Sequence, residues 1–198
     1  MLKSDKTIIM KILLLDNYDS FTYNLAHYLR DLTGHEIPVI QNDQIGLDEV
    51  EAYDAILLSP GPGLPDDAGI MKNLIRRYAP KKKIFGVCLG MQAIAEVFGA
   101  HLVNMPEVYH GIALNTCILD THEHLFTGIP KTFSSGRYHS WIVSHDHFPK
   151  NLVITAVDDQ NRIMALRHEK FDVRGVQFHP ESILTSEGMK ILSNWLTC

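Results

Sequence analysis

In the first half of the chain, short apolar runs that stop in polar or glycine-rich turns alternate with stretches whose apolar residues recur every three to four positions. Residues 10–15 form the first run. It is short, mostly apolar and closed by Asp16 and Asn17, as expected of a parallel strand buried on both faces. Phe21, Leu25, Tyr28, Leu29 and Leu32 then mark a helix, with Ser20 as its expected N-cap and Gly34 as its stop. Residues 38–41 and 55–58 are further strand candidates. Met71, Leu74, Ile75 and Tyr78 define a second helix before Pro80, and residues 84–87 form a strand that turns at Cys88-Leu89-Gly90 into a helix over 91–98. This alternation predicts an α/β domain with a mainly parallel sheet covered by helices on both faces.

From Ile112 the pattern changes to short strands at 112–119, 152–157, 163–166 and 173–178, with a turn at 158–161, so antiparallel strands are expected in the C-terminal half. Met189, Leu192 and Trp195 or Leu196 give a closing helix over 186–196 one apolar face. No repeat, linker or low-complexity segment interrupts the pattern. With 198 residues and 45% hydrophobic composition, one domain over residues 10–198 is the expectation, preceded by an N-terminal extension over 1–9.

Charge and composition narrow the function classes. The net charge of −5 comes from interspersed acids and bases without a basic stripe, so no nucleic-acid partner is expected. No apolar run approaches the roughly 20 residues that span a bilayer, and residues 1–9 lack the apolar core of a secretory signal. The expectation is a protein of the cytoplasm with no membrane partner. Three cysteines, Cys88, Cys117 and Cys198, are an odd number without paired spacing, which argues against a disulfide framework or structural zinc. Eleven histidines, among them His122, His124, His145 and His147, lie in polar stretches without companion ligands, so no metal is expected. Lys81 to Lys83 read as a solvated lead-in to a strand.

Three segments can carry chemistry. Gly86-Val87-Cys88-Leu89-Gly90 has the form of a nucleophile elbow between an apolar strand and an apolar helix. Its glycines suit a tight turn, the helix N-terminus favours a thiolate, and the Leu89 N–H would face an oxyanion. A buried cysteine in an ordinary turn fits the same five residues. In Gln177-Phe178-His179-Pro180-Glu181, an extended backbone would put His179 and Glu181 on one face as a base and its orienting acid. Alone, the segment could equally be surface His and Glu at a strand end. Ser59-Pro60-Gly61-Pro62-Gly63 follows a buried strand, where the C-terminal edge of a sheet hosts ligands, and it could also be only a turn. The loop 17–21 is open between a functional role and helix capping by Asp19 or Ser20.

Together, the loop 59–63, the elbow 86–90 with Gln92, and His179-Pro180-Glu181 resemble the class I (triad) glutamine amidotransferases. Asp16-Asn17-Tyr18-Asp19-Ser20-Phe21-Thr22-Tyr23-Asn24-Leu25 and Arg137-Tyr138-His139-Ser140 narrow the resemblance to component II of anthranilate synthase and aminodeoxychorismate (para-aminobenzoate) synthase. The likeness covers nearly all of the chain after Met10. It implies a flavodoxin-like fold and a glutaminase that passes ammonia to a chorismate-binding synthase subunit, component I, with no cofactor in this subunit. It further implies Cys88 as nucleophile with His179 and Glu181. Gly61 and Leu89 would form the oxyanion hole, and Gly61, Pro62, Gly63, Gln92, Ser140 and Trp141 would hold L-glutamine. Two departures stand out. Trp141 replaces a smaller aliphatic residue, which a backbone contact would tolerate and a side-chain contact would not. Ile112-Ala113-Leu114 replaces a Lys, Thr or Ser run associated with partner coupling, although it also reads as a plain strand. The alternatives are a stand-alone γ-glutamyl hydrolase and a non-catalytic regulatory subunit; rapid thiol labelling of Cys88 would argue against the second.

Overall fold

Every residue of Ile12–Asp16 is buried, and the successive side chains of residues 12–15 enter two different cores. The computed structural model describes residues 10–197, so the expected extension over 1–9, and Cys198, lie outside the described residues. Its elements are β1 (Ile12–Asp16), α1 (Thr22–Thr33), β2 (Val39–Gln41), β3 (Ala55–Leu58), α2 (Met71–Tyr78), β4 (Lys83–Val87), α3 (Leu89–Val97), β5 (Leu102–Asn104), β6 (Ile112–Ile118), β7 (Thr132–Arg137), β8 (Trp141–Val143), β9 (Leu152–Val157), β10 (Ile163–His168), β11 (Val173–Val176) and α4 (Gly188–Thr197). The main sheet has the order β2-β1-β3-β4-β11-β10-β9-β6-β7, and β5 pairs with β8 in a small separate sheet.

The first five strands in that order are parallel, and the next four are joined antiparallel. Leu13, Leu15, Ile56, Leu58 and Ile84 face α2 and α3. Ile12, Leu14, Ala55, Leu57, Phe85 and Val87 face the opposite way and share a core with Leu25 and Leu29 of α1 and Ile191, Leu192 and Trp195 of α4. Period-two alternation within wholly apolar strands is what a sheet with two covered faces demands. Each fully buried Leu, Ile or Val side chain contributes about 1.5–3 kcal/mol through loss of hydrated apolar surface.

The α/β class, the central parallel strands and the antiparallel second half are as the sequence predicts. Several local expectations are not met. Ser20 does not cap α1: the helix begins at Thr22, Asp19 Oδ1 accepts the Phe21 N–H at 2.7 Å, and Thr22 Oγ1 donates to Asp16 Oδ1 at 2.7 Å. The turn is closed by two acids that precede Ser20, Asp16 and Asp19, so its hydroxyl has no capping task. β11 ends at Val176 rather than 178, because the backbone leaves the sheet to reach Gly136 of β7. Lys82 and Lys83 are not solvated. Lys82 Nζ donates to the carbonyls of Glu51 and Tyr53, and Lys83 Nζ to that of Trp195, so both tie strand β4 to neighbouring elements. Among the described residues no helix is long and apolar enough to cross a membrane, and no three His, Cys, Asp or Glu side chains gather in a way that could hold a metal ion.

The topology positions the site. Parallel register places Leu58 beside Gly86, Gly86 beside Gly175 and Val87 beside Val176. The segments that follow β3, β4 and β11 therefore leave the same edge of the sheet at the same height. The core order β2-β1-β3-β4 has its switch point between β1 and β3, where ligands collect outside the carboxyl ends of strands in open α/β sheets.

Candidate active site

Cys88 sits between β4 and α3 with φ 51° and ψ −102°, a conformation costly for any residue with a Cβ. Tight packing around it holds that geometry. A Cβ at Gly86 would collide with the backbone of Gly90, and one at Gly90 would lie 2.6 Å from the Leu58 carbonyl oxygen. Both glycines are therefore set by steric contact within the turn and with β3. The Cys88 N–H donates to the Val176 carbonyl at 2.8 Å, extending the β4–β11 ladder to the cysteine itself. Leu89 opens α3, so its N–H has no acceptor within the helix and is free to donate at the site.

The loop 59–63 is braced from β1. The Asn17 N–H donates to Ser59 Oγ and Asn17 Nδ2 to the Ser59 carbonyl, each at 2.8 Å, and Asn42 Nδ2 donates to Asn17 Oδ1 at 3.0 Å. Asn17 is buried by these contacts. Gly61 passes so close to it that a Cβ there would lie 2.6 Å from the Asn17 carbonyl oxygen and 2.8 Å from Leu89 Cδ2. The open question about residues 17–21 thus resolves in part: Asn17 supports the ligand loop, and Asp19 closes the turn into α1.

His179 and Glu181 come together by a different backbone from the extended one expected. The His179 N–H donates to the Gly136 carbonyl at 3.2 Å, and the chain then turns, with the Ser182 N–H donating to the His179 carbonyl at 3.2 Å. Thr185 Oγ1 also donates to that carbonyl at 2.6 Å and accepts the Gly136 N–H at 3.0 Å. His179 Nδ1 lies 2.7 Å from Glu181 Oε1, and both side chains are buried. The rings of Tyr138 and Phe21 pack on the imidazole at centroid distances of 4.8 and 5.7 Å. Burial by itself lowers the basicity of the ring, but the neighbouring Cys88 sulfur and then Glu181 outweigh it and push the His179 pKa up to about 10. Nε2 makes no hydrogen bond of ordinary geometry, so the sulfur acts on the ring as a close neighbour rather than as an aligned partner.

Gly61, Pro62, Gly63, Cys88, Gln92, Ser140 and Trp141 line one cavity of about 240 Å³, together with Tyr138 and His139. A second cavity, of about 450 Å³, meets it at Cys88 and is lined also by His179, His110, Tyr138 and the loop 18–21. The residues expected to form the catalytic and glutamine-binding site therefore gather around the cysteine, with Leu89 against Gly61 and Glu181 behind His179. The Trp141 carbonyl accepts from Gln92 Nε2 at 2.9 Å, a contact indifferent to the size of the side chain. Ile112-Ala113-Leu114 begins β6 in register with Arg137, Gly136 and Ser135, and Ile112 is exposed.

Two residues of the site escaped the sequence. Gln177, fully buried, donates from Nε2 to Cys88 Sγ at 3.4 Å. His139 is buried with neither ring nitrogen hydrogen-bonded. Burial first, then the positive charges of Arg137, His179 and Arg162, lower its pKa to about 3. Between that value and 6.5 the unfolded chain binds a proton that the folded chain refuses, so this residue makes stability fall as pH drops through the window and has no such effect above it. In urea titrations, His139→Gln is expected to flatten the decline in unfolding midpoint below pH 6.5. Parallel declines in both proteins would show that His139 is not the group responsible.

Comparison with known proteins agrees with this arrangement. The family model of glutamine amidotransferase class-I matches residues 13–198. The chain is 45% identical over 187 residues to the aminodeoxychorismate/anthranilate synthase component 2 of Bacillus subtilis, covering 93% of this chain and 95% of that protein. It is 43% identical to the aminodeoxychorismate synthase component 2 of Escherichia coli, over 93% of this chain and 98% of that one. Among solved structures, a GMP synthase protein of Thermoplasma acidophilum superposes with a TM-score of 0.85 at 25% identity, covering 96% of this chain and 93% of that chain. With its Cys88 elbow, its buried His179–Glu181 pair and a family match spanning nearly all the described fold, this chain belongs to the class I glutamine amidotransferases.

Proposed function

We propose that the protein hydrolyses L-glutamine through a Cys88–His179–Glu181 triad and delivers the ammonia to a separate chorismate-using synthase subunit, in the cytoplasm and without a cofactor of its own. The observation that carries this reading is the buried His179–Glu181 pair, 2.7 Å apart, behind a cysteine held at positive φ on a helix N-terminus. The Cys88 thiolate attacks the side-chain amide carbon of glutamine, and the N–H groups of Gly61 and Leu89 receive the oxyanion. His179 gives its proton to the departing nitrogen, ammonia leaves, and a γ-glutamyl thioester remains on Cys88. His179 then takes a proton from water, which attacks the thioester; the C–S bond breaks, glutamate leaves, and the sulfur and ring recover their starting forms. Glu181 holds the ring through Nδ1 and balances its positive charge.

Gly61, Pro62, Gly63, Gln92, Ser140 and Trp141 hold the substrate in the smaller cavity, with Trp141 contributing main-chain atoms. The relatives' names, component 2 of anthranilate or aminodeoxychorismate synthase, support a component I partner for this chain as well. Product chemistry would then be anthranilate, aminodeoxychorismate or both. The test is glutamate release by the purified chain alone and mixed with each of the two component I proteins. Stimulation by a component I supports the reading and identifies the pathway; glutaminase activity indifferent to both partners would favour a stand-alone γ-glutamyl hydrolase, and no activity in any mixture a regulatory subunit.

A further inference from the structure

Gln177 stands one position beyond β11 and two before His179, and its side chain is fully buried. Its backbone N–H is committed to the Met164 carbonyl at 2.9 Å, so the side-chain amide is set by the sheet rather than by a loop. That amide belongs to a short chain of hydrogen bonds whose direction is fixed. The Trp141 carbonyl can only accept, so the group facing it at 2.9 Å must be the NH₂ of Gln92. The same nitrogen lies 3.2 Å from the Gln177 amide oxygen, which accepts its second N–H. The Gln177 NH₂ is thereby turned to Cys88 Sγ at 3.4 Å. A thiol sulfur is a weak acceptor, whereas a thiolate accepts a charge-assisted bond of about twice the usual strength. A donor that cannot rotate away, aimed at the nucleophile inside the fold, is therefore matched to the reactive form of the sulfur.

We propose that Gln177 is a positioning residue of the nucleophile, holding the Cys88 sulfur in its attacking rotamer and thiolate form through an N–H···S hydrogen bond directed by Gln92 and the Trp141 carbonyl. It rests on the glutaminase reading for its consequence in turnover, but not for its effect on the sulfur. The other titratable groups lining the two cavities that meet at the sulfur are His179, backed by Glu181, with His139, His110, Tyr138, Tyr18 and Asp19, and none of them is substituted in the variants below. Gln177→Met fills similar space without a donor. Gln177→Glu keeps an oxygen for Gln92 and presents a carboxylate to the sulfur.

The experiment follows iodoacetamide alkylation of Cys88 across pH, with the modified peptide identified by mass spectrometry to separate it from Cys117 and Cys198. Both variants are expected to show an alkylation profile displaced upward by about one pH unit, with rates about tenfold lower on its acid limb, more for Glu than for Met. With the component I partner, kcat for glutamate release should fall by a similar factor while KM changes less than about threefold. A profile that coincides with wild type overturns the proposal whatever the melting temperature, since a purely structural role moves the melting temperature and leaves the profile alone. In the unmutated chain, the side-chain amide protons of Gln177 should shift in NMR spectra with the midpoint of Cys88 alkylation; protons that ignore that midpoint would overturn it without any variant. Should wild type release no glutamate while the alkylation profiles still differ, the glutaminase reading fails and the role of Gln177 stands; with unchanged profiles and Cys88-dependent glutamate release, the glutaminase reading stands and the role of Gln177 fails.

Discussion

Cys88→Ala is expected to remove glutamine-dependent turnover by a factor on the order of 10⁶, because no other group in the two cavities can form the thioester and the remaining members of a triad act only through the nucleophile. The protein should still fold: the cysteine's backbone is held by the glycines on either side and by the bond from its N–H to Val176, neither of which needs the sulfur. In a complex reconstituted with the component I partner, product formation from added ammonium salt should survive while formation from glutamine disappears. Loss of both would contradict the division of labour between the two chains. Retention of both would remove Cys88 from the chemistry.

Glu181→Gln is expected to lower kcat by about 10³–10⁴, the scale seen when the acid of a triad becomes an amide and the histidine is held in the wrong tautomer. Glu181 Oε1 can only accept from Nδ1, leaving Nε2 to face the cysteine, whereas an amide can present a donor instead. The same substitution has a signature in stability. His179 titrates at about 10 in the folded protein against 6.5 for a free imidazole, so the folded state holds the proton more tightly. The stabilisation is fully present below 6.5 and is lost as pH rises through about 10. In urea unfolding, the gap between wild type and Glu181→Gln should therefore be widest below pH 6.5 and close towards pH 10. A gap that widens with pH would mean that Glu181 acts on something other than the imidazolium.

Much of this site was legible because its residues answer to local constraints. A cysteine forced to positive φ needs glycines where Gly86 and Gly90 stand, and His179 and Glu181 stand two positions apart in one short segment. The central strands were equally plain, since burial on both faces makes their middles apolar at every position, as in residues 12–15 and 55–58. What escaped depends on partners distant in the chain. β7 reads Thr-Phe-Ser-Ser-Gly-Arg and shows no apolar alternation, because Ser135 is buried against Thr116 through a 2.7 Å hydrogen bond and Arg137 reaches the same hydroxyl at 2.8 Å. β5 and β8 have three residues each and pair only with one another, so neither carries a period long enough to recognise. Gln177 reads only as a polar position inside the strand expected over 173–178. Its meaning lies in Cys88, 89 positions away, and in Gln92, 85 positions away. The backbone turn at His179 was missed for a related reason: it is imposed by Gly136 and Thr185, which sequence spacing does not bring together.

The covalent step is the centre of the account, and trapping it is the most direct test. The complex with component I should be mixed with glutamine, quenched in acid within the first turnovers, digested and analysed by mass spectrometry. The account predicts one glutamyl group in thioester linkage on the peptide bearing Cys88, absent from Cys88→Ala and accumulating further when hydrolysis is slowed in Glu181→Gln. Glutamate released by the wild-type complex with no acyl group on Cys88 under any quench, or an acyl group carried by another residue, would contradict it.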